Sequence, residues 1–178
     1  FLLFLGNSTL TRRKGNFLSQ FFPKNTKQED TTIQKNVNAI KSAMMRMSNK
    51  RVGALIVFAS NLNLDSLQSS GVKLNADISQ SLLISLFEKD SPLHDGAAIL
   101  MNGKIVSASS ILPVSENQDL PQSAGLRHRS AVGVTENTGA AAFVVSEETG
   151  TISYAYKGNL YRRLSEEELY EALMKYYN

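Results

Sequence analysis

The run Val52-Gly53-Ala54-Leu55-Ile56-Val57-Phe58-Ala59 constrains the fold more than any other stretch of the chain. Its length and β-branched content read as a strand, and the absence of any polar alternation buries that strand on both faces. Such a strand needs packed layers above and below it. Two further runs, Ala97 to Met101 and Ala140 to Val145, read as strands of the same sheet. Asn102-Gly103 is a two-residue hairpin signal, with a return strand from Lys104 to about Pro113. Thr151 to Tyr156 alternates as a strand, Gly158-Asn159 turns it, and Leu160 to Leu164 is read as its return.

The covering layers are helical. From Thr32 to Lys50 the apolar residues Ile33, Val37, Ile40, Met44 and Met47 recur at helical spacing, with Asp30 or Thr31 as the cap. Asp77 or Ser79 opens a second helix through Glu88, buried along Ile78, Leu82, Leu83, Leu86 and Phe87. Ser130 to Glu136 reads as a short helix, and Ser165 with Glu168 forms a capping box for a last one, Glu166 to Tyr177. Asn61 to Lys73 is expected to be a polar connection. The expected fold class is α/β of the mixed, α+β kind: a single globular domain with a central mixed β-sheet surrounded by helices.

Charge separates the ends of the chain. Residues 1–27 carry Arg12, Arg13, Lys14, Lys24 and Lys27 and no acid; the remaining 14 basic and 16 acidic residues give the body a net −2. The body is therefore not a basic nucleic-acid-binding surface, and no nucleic acid is expected as a partner. Residues 1–20 can form an amphipathic helix, and Pro23 to Asp30 reads as a linker, so residues 1–30 are a basic leader and 31–178 the folded domain. The chain starts at Phe1, and Phe1 to Leu5 is far short of the roughly 20 residues that span a bilayer. An apolar stub followed by basic residues fits the cytoplasmic edge of a membrane anchor, and equally a first helix packed on the domain. With no cysteine, disulfides and thiolate zinc sites are excluded; a metal would need oxygen and imidazole ligands, which favours magnesium, manganese or cobalt.

Three polar clusters fall at strand ends, where ligand crevices form in such sheets. The first is Ser91-Pro92-Leu93-His94-Asp95-Gly96, in which His94 and Asp95 offer an imidazole and a carboxylate, and Gly96 admits close backbone approach. The second is Arg127-His128-Arg129, read at a helix start, where fixed guanidinium donors and the helix dipole suit a polyphosphate. The third is Ser146-Glu147-Glu148-Thr149-Gly150, whose carboxylates suit a metal accompanying those phosphates. Taken singly, each is also what a turn hydrogen bond, a solvated basic turn or a hairpin turn looks like. No phosphate-binding glycine loop, dinucleotide fingerprint or serine-nucleophile elbow is present.

Together, Arg51-Val52-Gly53-Ala54-Leu55, Pro92-Leu93-His94-Asp95-Gly96-Ala97, Leu112-Pro113, Arg127-His128-Arg129 and Val145 to Gly150 resemble the diadenylate cyclase domain. The resemblance runs from about Thr32 to the C-terminus, and the nearest type is the membrane-anchored CdaA-type bacterial cyclic di-AMP synthase. It implies a homodimer whose two protomers face each other, each holding one ATP, with a divalent metal (Mn2+, Mg2+ or Co2+). The resemblance places Asp95 beside the attacking 3′-hydroxyl and gives the metal to His94, Asp95 and Glu148. Leu93, Gly96 and Ala97 lie along the nucleotide, Arg127, His128 and Arg129 with Ser146 hold phosphates, and the backbone at Leu112 reads the adenine edge. It also implies a cytoplasmic catalytic domain on a membrane-held protein, with a membrane regulator or a phosphoglucosamine mutase as partner. A non-catalytic nucleotide-binding module of the same fold is the alternative. Two positions depart from the pattern: Ile111 stands where relatives carry an adenine-stacking tyrosine, and Leu126 where they often carry threonine. A lost stacking ring costs on the order of 1 kcal/mol.

Overall fold

The computed structural model describes residues 26–59 and 70–177. A seven-stranded sheet runs through the molecule in the order β2-β4-β3-β1-β5-β6-β7. Its strands are β1 (Ala54–Phe58), β2 (Val72–Asp77), β3 (Ala97–Met101), β4 (Lys104–Ser110), β5 (Ala141–Val145), β6 (Ile152–Tyr156) and β7 (Asn159–Tyr161). The described helices are α1 (Thr26–Lys50), α2 (Gln80–Phe87), α3 (Leu126–Glu136) and α4 (Glu166–Tyr176). β1 is parallel to β3 and antiparallel to β5, so the sheet is mixed.

The apolar run sits at the centre, and every residue of β1 is buried. Successive side chains of a strand point to opposite faces, and β1 divides accordingly. Ala54, Ile56 and Phe58 join a core with Val37, Ile40 and Met44 of α1, Leu83 of α2 and Leu169 and Leu173 of α4. Leu55 and Val57 join a second core with Val132 and Val134 of α3. The methionines of α1 fill the first core, Met44 and Met47 being all but inaccessible.

Local chemistry sets the ends. Ser79 caps α2 by accepting from the Leu82 N–H, and the Ser165–Glu168 capping box opens α4 with both of its hydrogen bonds formed. Asn102 and Gly103 both take positive φ, 50° and 73°, as the β3–β4 hairpin requires.

Five expectations are corrected. Residues 26–30 are helix, not linker: Lys27, Gln28 and Glu29 are good helix formers, and the Thr31 and Thr32 hydroxyls donate back to the Gln28 carbonyl from inside the helix. Val72–Asp77 is a strand, not a connection. It lies on the sheet edge with a largely exposed pattern and a bulge at Asn75, so it carries no apolar run. β4 stops at Ser110 rather than Pro113. Helix α3 starts at Leu126 rather than Ser130, because Gly125 with extended backbone serves as its N-cap. The β6–β7 turn is Lys157-Gly158, with φ of 48° and 77°, one residue earlier than expected. The helix expected over residues 1–20 and most of the 61–73 connection lie outside the described residues.

Candidate active site

Sheet register brings the three clusters together. The start of β1 pairs with the end of β5 (Ala54 with Val145), and β3 runs alongside β1 in the same direction. Ala97 at the start of β3 pairs with Ser110 at the end of β4. The segments after β4 and β5 and before β3 therefore leave the sheet at one end, where α3 begins. They enclose a cleft of about 470 Å³, within the range of small-molecule sites.

Before β3, His94 Nδ1 lies 2.7 Å from the Ser91 carbonyl. A proton on Nδ1 donates to that oxygen and leaves Nε2 with its lone pair, 3.4 Å from Asp95 Oδ1. The Asp95 side chain is 86% exposed and stands on the cleft wall. Gly96 has φ +85°, and a Cβ there would sit 2.7 Å from the Ser110 carbonyl oxygen. Its glycine is thus demanded by the β4 backbone. Beside it, Ser109 holds φ 54° where the β3–β4 register slips, a bulge at the rim of the site. Leu93 packs on the hydrophobic core and does not line the cleft.

At the start of α3, Arg127 Nη1 donates to Glu147 Oε2 at 3.0 Å, and Nη2 reaches the His94 carbonyl at 3.4 Å. One guanidinium therefore touches both other clusters. It lies over Gly53, where a Cβ would come within 2.7 Å of Nη1 and 3.0 Å of Glu147 Oε2. Gly53 was missed as a site residue in the sequence; its signal is the single glycine in an otherwise apolar strand run. His128 is buried at 4% exposure, lines the cleft, and its Nε2 has no hydrogen-bond partner. Burial chiefly, with the nearby Arg162 charge, holds its pKa below the usual value against the pull of Glu148. The N-cap Gly125 supplies no side-chain bond to the first turn, leaving helical N–H groups facing the cleft.

Arg127, His128 and Arg129 do not converge. Arg129 is absent from the cleft wall and donates from Nη1 to the Asn117 carbonyl at 3.1 Å. Residues two apart on a helix point about 200° apart, so the two arginines cannot share one ligand face. Ser146 and Glu148 line the cleft, and Ser146 Oγ accepts from the Thr149 N–H in the tight loop after β5. The cleft is also lined by apolar side chains: Ile111 is 72% exposed and Leu126 70%, while Leu112 is buried.

Among the described residues no group of three or more His, Asp or Glu side chains is gathered to hold a metal ion. The expected set His94, Asp95 and Glu148 is thus not assembled as three. The His94–Asp95 pair, with an oriented imidazole and an open carboxylate, does suit a hard cation that draws its other oxygens from a bound ligand.

The sequence profile of the family DAC, described as DisA bacterial checkpoint controller nucleotide-binding, matches residues 41–160. The chain belongs to this family. It is 39% identical over 165 residues to a diadenylate cyclase of Listeria monocytogenes, an alignment that covers 93% of the chain and 59% of that protein. It is 40% identical to the cyclic di-AMP synthase CdaA of Bacillus subtilis over 86% of the chain and 56% of that protein. The chain thus spans little more than half the length of these relatives. The crystal structure of DacA from Staphylococcus aureus superposes with a TM-score of 0.79 at 40% identity, covering 85% of the chain and 98% of that structure. The crystal structure of a hypothetical membrane-spanning protein from Bacillus cereus gives a TM-score of 0.68 at 42% identity over 72% of the chain and 63% of that structure. The DAC fold is therefore shared. Among the described residues no helix is long and apolar enough to cross a membrane.

Proposed function

We propose that the chain is a diadenylate cyclase, condensing two ATP into cyclic di-AMP and two pyrophosphates. One observation carries the reading: a single cleft is lined both by an exposed carboxylate and a positioned guanidinium, Asp95 and Arg127, and by the exposed apolar side chains of Ile111 and Leu126. That combination matches a nucleotide, with charged phosphates against Arg127 and the open first turn of α3, and the base against Ile111 and Leu126. Leu112 offers its backbone to the base edge, and Ser146 its hydroxyl to the phosphates.

In each half-reaction the 3′-oxygen of one ATP bonds to the α-phosphorus of the other. The bond from that phosphorus to the bridging oxygen breaks, and pyrophosphate leaves with the electron pair. Asp95 orients the 3′-hydroxyl and takes its proton. Arg127 and the α3 N-terminus offset the charge that develops on the transferring group. Buried and uncharged, His128 presents Nε2 as a hydrogen-bonding group rather than a second cation. The side chains of His94 and Asp95 would hold a magnesium, manganese or cobalt ion, with Glu148, which lines the same cleft without being gathered with them, as the third candidate ligand. When bound, such an ion supplies charge neutralisation at the phosphates.

Asp95 stands 86% exposed, as expected of a group that serves a second nucleotide presented from outside the chain. A face-to-face homodimer supplies that arrangement. The similarity to CdaA and to a hypothetical membrane-spanning protein supports membrane attachment of the full-length protein ahead of the catalytic domain. A membrane regulator or a phosphoglucosamine mutase is the partner proposed with this reading. The division into a leader, residues 1–30, and a catalytic domain, 31–178, belongs to the same reading, with α1 reaching back across that boundary.

The test is incubation with ATP and each of the three metal ions, with products separated by chromatography. Cyclic di-AMP that disappears on Asp95→Asn is the expected result. ATP bound but unchanged by a dimeric chain would make this a non-catalytic nucleotide-binding module.

A further inference from the structure

The second arginine of Arg127-His128-Arg129 has work of its own. Arg129, Gly133 and Glu136 fall four and three residues apart, on one face of α3. All three meet the segment 113–117, which contains Val114 and continues from Ile111 and Leu112. The Arg129 carbonyl accepts from the Ser115 N–H at 3.0 Å, while its guanidinium donates to the Asn117 carbonyl at 3.1 Å. Glu136 accepts from the Ser115 hydroxyl at 2.5 Å. Between them Gly133 lets the segment lie against the helix, since a Cβ there would stand 2.2 Å from the Pro113 carbonyl oxygen. The segment is thus gripped along its length, at 113, 115 and 117, by one helical face. Arg127 points the other way, to Glu147 and the His94 carbonyl.

We infer that Arg129, Gly133 and Glu136 form a clamp that fixes the apolar wall of the cleft, and that Arg129 is a positioning residue for the nucleobase rather than a phosphate ligand. The wall starts from Ile111, whose N–H donates to Ser70 Oγ at 3.0 Å, and from the buried Leu112; beyond them Val114, 47% exposed, sits on the segment that the α3 face holds. Helix α3 therefore divides its labour by face: its first turn meets the anion, and its 129–133–136 face sets the width of the base slot. Base affinity in this chain then depends on residues that never touch the base.

The inference rests on the nucleotide reading above, and two probes separate them. Binding of a non-hydrolysable ATP analogue and of inorganic tripolyphosphate, both with magnesium, is measured by calorimetry for the wild type, Arg127→Gln, Arg129→Gln and Glu136→Gln. Arg129→Gln is expected to weaken the analogue about tenfold while leaving tripolyphosphate within about twofold. Glu136→Gln, which loosens the same segment from the other end of the face, shows the same pattern. Arg127→Gln weakens both probes. Tripolyphosphate binding lost as strongly in Arg129→Gln as in Arg127→Gln would overturn the clamp and return Arg129 to the phosphates. Unchanged analogue binding in both clamp variants overturns it too. A wild type that binds neither probe sinks the nucleotide reading itself, and the base-slot role with it.

Discussion

Gly53→Ala tests the site through one added methyl group. An ideal Cβ at this position lies 2.7 Å from Arg127 Nη1, 3.1 Å from its Cζ and 3.0 Å from Glu147 Oε2. Ordinary contact needs about 3.5 Å, so the guanidinium must retreat by roughly 0.8 Å. Both obstructing groups are ends of flexible side chains, and the Gly53 backbone lies outside the left-handed region, so alanine brings no backbone strain. Two small effects on stability then oppose each other. Weakening the partly exposed Arg127–Glu147 pair costs up to about 1 kcal/mol, while the stiffer unfolded chain returns about 0.4–1 kcal/mol. The melting temperature should stay within about 4 °C of the wild type. Function should not be spared. On the proposed role of Arg127 at the phosphates, a shift of this size weakens a charge-assisted hydrogen bond, and KM for ATP should rise about tenfold. Steady-state cyclic di-AMP synthesis and a thermal melt on the same preparation read both quantities. An unchanged KM, or a collapse in melting temperature, would refute the role given to the Arg127–Gly53 contact.

Two further outcomes follow from the geometry. Gly96→Ala forces a side chain into φ +85° against the Ser110 carbonyl, with no flexible group to yield; it should destabilise the chain by about 2–4 kcal/mol in a urea melt. His128 is held uncharged in the fold by burial first and the Arg162 charge second, while the unfolded chain titrates it near 6.5. The unfolded state therefore binds the extra proton first, so stability falls as pH drops below 6.5 toward the lowered folded pKa, and is flat above. His128→Asn should remove that slope; urea melts at pH 5 and pH 7.5 check it, and an unchanged slope in the variant would contradict the assignment.

Much of the fold was legible because the strongest signals were physical and local. The buried run at β1, the Asn102-Gly103 turn and the Ser165–Glu168 capping box each have one cheap solution, and the structure adopts it. Edge strand β2 was invisible for the opposite reason: with one side unpaired and most of its side chains exposed, nothing in its composition needed to be apolar. The site was legible as three clusters, because polar residues at strand ends stand out against apolar runs. What could not be read was direction. Adjacent letters in Arg127-His128-Arg129 look like one group, yet helical geometry sends Arg127 to the cleft and Arg129 to the Asn117 carbonyl. Gly96 likewise looked like room for a ligand, and the register shows that β4 claims part of that room. Contacts between distant segments, such as Gly53 beneath Arg127, have no local trace beyond a glycine where a larger apolar residue would otherwise serve.

The central claim is that two separate ATP molecules become one product, and isotopic mixing tests it most directly. The wild-type chain is incubated with equal amounts of ordinary and fully 15N-labelled ATP and a divalent metal, and the product is resolved by mass spectrometry. A dinucleotide appearing as unlabelled, half-labelled and fully labelled species in a ratio of about 1:2:1, and absent with Asp95→Asn, is the predicted result. Labelled and unlabelled AMP or ADP with no mixed dinucleotide would contradict it.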